Sequence, residues 1–172
     1  MNKNRKIILS ALLIAATIVL SRFLSIRTPI ISIGFSFVPI ILSAILLGPK
    51  YSTFIATISD IIGALLFPSG AFFFGFTISS FLTGLIYGLI LYKDKFVLDK
   101  KFIIRLFIST LIVTLFVNGC LNTVWVIMTT SSAKKIVIPL RIVKQLIMIP
   151  VINITMLSLL RIIKDRINSL YD

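Results

Sequence analysis

Long apolar runs follow one another along this chain with only short breaks, and that spacing constrains the fold more than any other feature. The runs cover roughly 7–25, 33–47, 51–67, 73–92, 103–129 and 142–163. A helix of about 20 mostly apolar residues crosses the ~30 Å hydrocarbon core of a bilayer. Runs two and three sit at the lower limit, near 17 residues at about 1.5 Å rise each. A soluble domain of 172 residues could not bury a chain that is 58% hydrophobic with a mean hydropathy of +1.12. The expected fold is therefore all-α: an integral membrane bundle of six transmembrane helices, one domain over residues 1–172, surrounded by lipid. No soluble domain, long linker or low-complexity tract stands out. Lys3, Arg5 and Lys6 precede the first run as in a signal peptide. No small-residue cleavage site follows, and the run continues to about Ser25, so it reads as a retained span.

The breaks are "RTPIIS" at 27–32, "GPK" at 48–50, "FPSGAF" at 67–72, "KDKFVLDKK" at 93–101 and "TSSAKKIVIPLR" at 130–141. Alternating flanks differ in basic residues. One side carries Lys3, Arg5, Lys6, Lys50, Lys93, Lys95, Lys100, Lys101, Arg105, Arg161, Lys164 and Arg166. The other carries half as many: Arg22, Arg27, Lys134, Lys135, Arg141 and Lys144. The positive-inside bias then puts both termini in the cytoplasm. The formal net charge of +13 is mostly topological on this reading. Its scatter between spans speaks against nucleic acid as a partner.

Several activities lack their residues. The chain has no His and no Glu, which removes His-based triads and the His-Glu zinc motifs. No GxxxxGK loop is present, so the chain is not an ATPase by itself. It reads as a non-enzyme with no cofactor and no metal site. Cys120, the single cysteine, excludes an internal disulfide and reads as a small buried residue.

Polar residues within the runs are costly in lipid and mark interior or cavity positions. Asp60 lies in run three. One reading makes it a structural partner of Arg22, Arg141 or a backbone amide. Another makes it a ligand contact, since a carboxylate accepts two parallel hydrogen bonds from an amino-pyrimidine edge. Asn118 and Asn122 are spaced i, i+4 on one helix face, with Trp125 next along it. Two amides and an indole suit a polar heteroaromatic, and equally suit interhelical bonding. Arg141, Lys144 and Gln145 open run six at what reads as the outer rim. Together with Arg27 they suit an anionic ligand group, or snorkel to headgroups. Ser10, Ala11 and Ala15 form a small-residue stripe in run one, and Ser80, Gly84 and Gly88 form one in run four. Such stripes permit close helix packing, within the chain or against a partner.

The break in "LLFPSGAFFFGFT", residues 65–77, is uncharged and crowded with five phenylalanines. Pro68 stops the helix and Gly70 allows a hinge. Pro68, Ser69 and Gly70 are expected to form an outward gate loop, with Phe67 and Phe73 covering flat rings of a ligand. A hydrophobic turn resting in the outer leaflet is the alternative.

Three segments carry a resemblance: "IGFSFVPIILSAILLGP" at 33–49, "SDIIGALLFPSGAFFFGFTISSFLTGLIYGL" at 59–89 and "LRIVKQLIMIPV" at 140–151. From about Ala11 to Ile163 the chain resembles a substrate-binding S component of an energy-coupling factor transporter, most closely the folate family. The resemblance implies six helices, an outer-face ligand site and a multi-pass place in a bacterial cell membrane. It implies partners as well: a folate-like small molecule, a transmembrane T component and two cytosolic ATPases. It also implies that Ala11 and Ala15 are the docking element for the T component. S components for riboflavin or thiamine share the fold and stay open as alternatives. So does a gradient-driven secondary transporter, which would need a coupling-ion site and usually an internal repeat.

Overall fold

The computed structural model describes residues 2–27, 32–68, 73–93, 96–129 and 134–171. Six helices form where the six apolar runs lie: α1 (Lys3–Arg22), α2 (Phe37–Leu47), α3 (Pro49–Leu66), α4 (Phe74–Leu91), α5 (Lys100–Thr129) and α6 (Lys134–Tyr171). Among the described residues, four stretches are individually long and apolar enough to cross a membrane: Lys3–Arg22, Phe74–Leu91, Lys100–Thr129 and Ile138–Asp165. Helix α2 has 11 residues, a length of only ~16 Å. Large side chains such as Ile8, Leu65, Met128, Ile154 and Ile162 point outward from the helices that carry them. In water this would be a liability, whereas in a bilayer it is the lipid-facing surface.

Contacts at both ends fix the alternating direction of the helices. The Lys6 ammonium sits over the Tyr51 ring, 5.8 Å from its centroid. At the far end of the same two helices Arg22 NH1 donates to the Phe67 carbonyl at 3.2 Å. Helices α1 and α3 therefore run parallel, and α4 returns between α3 and α5. The basic end of the bundle holds the starts of α1, α3 and α5 and the ends of α2, α4 and α6. The opposite end holds a feature that hydropathy does not announce, an antiparallel hairpin of β1 (Ser25–Arg27) and β2 (Ser32–Gly34). Sequence reading assigned 27–32 to a plain break and 33–36 to run two. The hairpin takes Ile33 and Gly34 from that run and Ser32 from the break, because pairing with β1 satisfies backbone groups that a helix start would leave open.

The α2–α3 link turns on Gly48, whose φ of 84° lies in the left-handed region. Pro49 follows at the first helical position, where its missing N–H costs no bond. Helices α3 and α4 pack backbone against backbone. The stripe between them is Gly84 and Gly88, which rest on the α3 backbone at Ser52, Thr53 and Pro49. The Ser52 hydroxyl donates to the Gly84 carbonyl across this seam at 2.8 Å. The stripe thus packs within the chain, and the reading of it as a partner surface is set aside. On α1, Ser10 is buried and donates to the Lys6 carbonyl at 2.7 Å. Ala11 and Ala15 are exposed on another face of the helix. Ser10 therefore does not belong to their stripe.

Two helices differ from their sequence outlines. Helix α6 begins at Lys134, ahead of the expected start near 142, and runs through Pro139 and Pro150. Each proline deletes one bond of the ladder without stopping the helix. Arg141, Lys144 and Gln145 consequently stand two to three turns inside a helix instead of opening one. Helix α5 is α-helical from Lys100 to Leu111, π-helical from Ile112 to Leu121 and α-helical again from Asn122 to Thr129. Its start is capped by Asp99, which accepts from the Phe102 N–H at 2.7 Å. Cys120 is exposed on this helix and not buried as expected.

Candidate ligand-binding site

The two halves of the bundle are packed with different chemistry. Toward the basic end the core is apolar, built from Ile41, Ile45, Leu91, Phe102, Leu106, Met156 and Leu160. Toward the hairpin end, polar side chains meet between helices. Polar groups enclosed in a membrane bundle must find partners within it, so these bonds define the interior of that half.

Helix α4 lies at the centre and presents two polar residues to two neighbours. Thr77 and Ser79 are separated by two positions and so face different sides. The Thr77 hydroxyl donates to Asp60 Oδ2 of α3 at 2.9 Å. Arg22 of α1 interacts electrostatically with the same carboxylate and lies over Gly63, one turn along α3. Asp60 therefore ties α1, α3 and α4 together, the structural role that sequence reading held open for it with Arg22. On the other side of α4, Trp125 Nε1 donates to Ser79 Oγ at 3.2 Å. The indole also packs against Phe73, with ring centroids 5.6 Å apart and planes inclined by 52°. Gly75 makes room for this pair, since a Cβ there would meet both rings.

A third group joins α5 to α6. Asn122 Nδ2 donates to Asn118 Oδ1 at 2.8 Å, so the two amides do share a face. Arg141 reaches across from α6. Its Nε donates to Thr123 Oγ1 at 2.9 Å and its NH2 to the Asn118 carbonyl at 3.2 Å. The guanidinium bridges the point where the π segment of α5 returns to α-helix. Short π segments are frequent at functional sites because they redirect side chains. Arg141 is only 7% exposed, so the expected wet rim is absent here. The charge is enclosed and bonded to the protein. Lys144 lies within its electrostatic reach.

Not every candidate joins this group. Phe67 packs edge-on against Phe23, just past the end of α1, at 5.0 Å and is partly exposed. The Arg27 backbone pairs with Ser32 in the hairpin, and its side chain lies outside the described atoms. Pro68 is exposed beyond the end of α3, while Ser69 and Gly70 lie outside the described residues. Two polar atoms of the candidate set are buried with no hydrogen-bond partner among the described residues, Asn122 Oδ1 and Gln145 Nε2. They stand one turn to either side of the Arg141–Asn118 crossing. Thr77, Ser79 and Thr123 were not singled out from sequence. Their signal was available, since each is a hydroxyl within an apolar helix.

This is a multi-pass integral membrane protein with a polar, aromatic-lined interior at one end, a membrane binding subunit and not an enzyme. Residues 5–164 match the family described as ECF transporter, substrate-specific component, and the chain belongs to that family. It is 40% identical over 151 residues to the folate transporter FolT of Clostridium novyi (strain NT), covering 88% of this chain and 85% of that one. It is 37% identical over 153 residues to the folate transporter FolT of Leuconostoc mesenteroides, covering 86% and 80%. Its fold is similar to the crystal structure of FolT bound with folic acid. The TM-score is 0.80 at 32% identity, over 89% of this chain and 90% of that one.

Proposed function

We propose that this chain captures folate or a reduced folate at the hairpin end and delivers it inward through an ECF module. That module comprises a transmembrane T component and two cytosolic ATPases. The acceptor on Asn122 and donor on Gln145, unpartnered among the described residues and buried in a bundle similar to folic acid-bound FolT, carry the reading. Buried polar atoms in a finished structure are normally satisfied, and a ligand with donors and acceptors on a flat ring satisfies both. Phe73 and Trp125 supply faces for the pterin and benzoyl rings. Lys144 and Arg27 are the cations for the glutamate carboxylates. Asn118 and Arg141 hold the amide face in place.

Trp125 is the single tryptophan of the chain, so its emission reports on the site alone. Titrating the purified protein with folic acid is expected to change this emission saturably, with a Kd below about 1 µM, equivalent to roughly 8 kcal/mol. Saturation by riboflavin or thiamine with no response to folic acid would replace folate as the ligand.

The chain has no phosphate-binding loop, so energy must come from partners. In liposomes, the chain alone is expected to bind folate without accumulating it under an ion gradient. Ala11→Val or Ala15→Val adds bulk to an exposed small-residue strip that suits close helix approach. These variants are expected to keep the Trp125 response and lose most folate uptake in cells. Loss of binding in the isolated variants would assign the strip to internal packing instead.

A further inference from the structure

The basic end carries a second concave site, unrelated to the polar interior. A cavity of about 150 Å³ opens there between the end of α2, the end of α4, the α4–α5 loop and the start of α5. Its floor is apolar, formed by Ile45, Leu91, Phe96 and Phe102, all buried. The Phe96 and Phe102 rings meet edge to face at 5.1 Å. Lys93, Arg105 and Asp99 supply its charges. Asp99 is committed to capping α5 through Oδ1. Arg105 spends NH2 on the Tyr92 carbonyl at 3.3 Å, which leaves further guanidinium donors. The site is therefore net cationic above a greasy floor.

We propose that this cavity binds the phosphate of an anionic phospholipid. The charge bias assigns this end to the cytoplasmic leaflet, where anionic headgroups concentrate and basic pockets between helices retain them. An apolar floor beneath two cations matches the junction of acyl chain and phosphate. A freely soluble phosphate would use the cations and gain nothing from Phe96, Phe102 and Leu91. The volume accommodates a headgroup phosphate and is too small for the pterin, benzoyl and glutamate parts of folate together.

The test reconstitutes the full chain in nanodiscs of phosphatidylcholine with and without phosphatidylglycerol. Co-purifying lipid is then counted by native mass spectrometry. Phosphatidylglycerol is expected to be enriched around the wild-type chain. Lys93→Gln and Arg105→Gln are each expected to lower the enrichment about fivefold, as for one lost cation at a membrane surface. Lys93→Gln guards against misfolding, because Lys93 is exposed and Arg105 also anchors the loop. An unchanged Trp125 response in each variant verifies its fold. Inorganic phosphate at millimolar concentration should not displace the lipid. Equal enrichment in wild type and Lys93→Gln would overturn the proposal, as would displacement by phosphate alone.

Discussion

Arg141→Ala is expected to lower folate affinity by about a hundredfold or more. The guanidinium donates to Thr123 Oγ1 and to the Asn118 carbonyl from a position that is 7% exposed. Hydrogen bonds from a charged group contribute roughly 1.5–3 kcal/mol each, and about 1.4 kcal/mol is tenfold in affinity. Removing both donors leaves two acceptors open and frees the stretch of α5 that carries Asn118, Asn122 and Trp125. Arg141→Lys should not rescue, because a single ammonium lacks the fork that reaches two acceptors at once. The loss should be similar for folate and for pteroate, which lacks the glutamate. A cation paired with the glutamate would instead favour folate selectively, the role proposed above for Lys144. Lys144→Ala should therefore weaken folate more than pteroate. Trp125 titrations of these variants check all of this. A loss under threefold in Arg141→Ala would remove the guanidinium from the site's framework.

Gly84→Ala should fail at the level of folding. A Cβ at this position would stand 2.5 Å from the Ser52 carbonyl oxygen and 2.8 Å from Thr53 Cα. Both are backbone atoms of α3, so no rotamer change relieves the crowding. Overpacking of a tight core costs typically 1–3 kcal/mol, and more where only backbone can give. The Ser52 bond to the Gly84 carbonyl would stretch as the helices part. The expected outcome is a large fall in the yield of monodisperse detergent-solubilised protein and a lower melting temperature. Leu89→Ala on the same helix trims a side chain that faces lipid and should leave both unchanged. Wild-type behaviour of Gly84→Ala would mean that the α3–α4 seam is looser than described.

Several features were readable without coordinates because lipid imposes a simple rule. Every backbone group must be satisfied inside the span, so a long apolar run has few options other than helix. Each expected run therefore formed helix over most of its length, although α2 starts later and α6 earlier than expected. The Asn118–Asn122 face was also legible, because an i, i+4 spacing survives local changes in winding. The Asp60 position stood out as a charge in an apolar run, with Arg22 among its possible partners.

Three features were decided only by packing in three dimensions. Two lysines and a proline between 134 and 141 read as a loop, yet the helix passes through them. The π segment of α5 and the hairpin of 25–34 leave no mark in hydropathy, since both change backbone winding and not residue polarity. Sequence spacing gave Arg141 a charge and a helix face but no depth. Whether a cation is solvated at a rim or enclosed against a carbonyl depends on how far inside its own helix it stands and on what the neighbouring helix offers, and here α6 begins at Lys134 and Arg141 meets Thr123 and Asn118 of α5. The sequence alone determined that the chain enters lipid, roughly where its helices lie and which polar residues the apolar runs contain. The tertiary structure decided which of those residues meet, because a burial cost is set by each residue's own chemistry while its compensation depends on atoms brought from elsewhere in the chain.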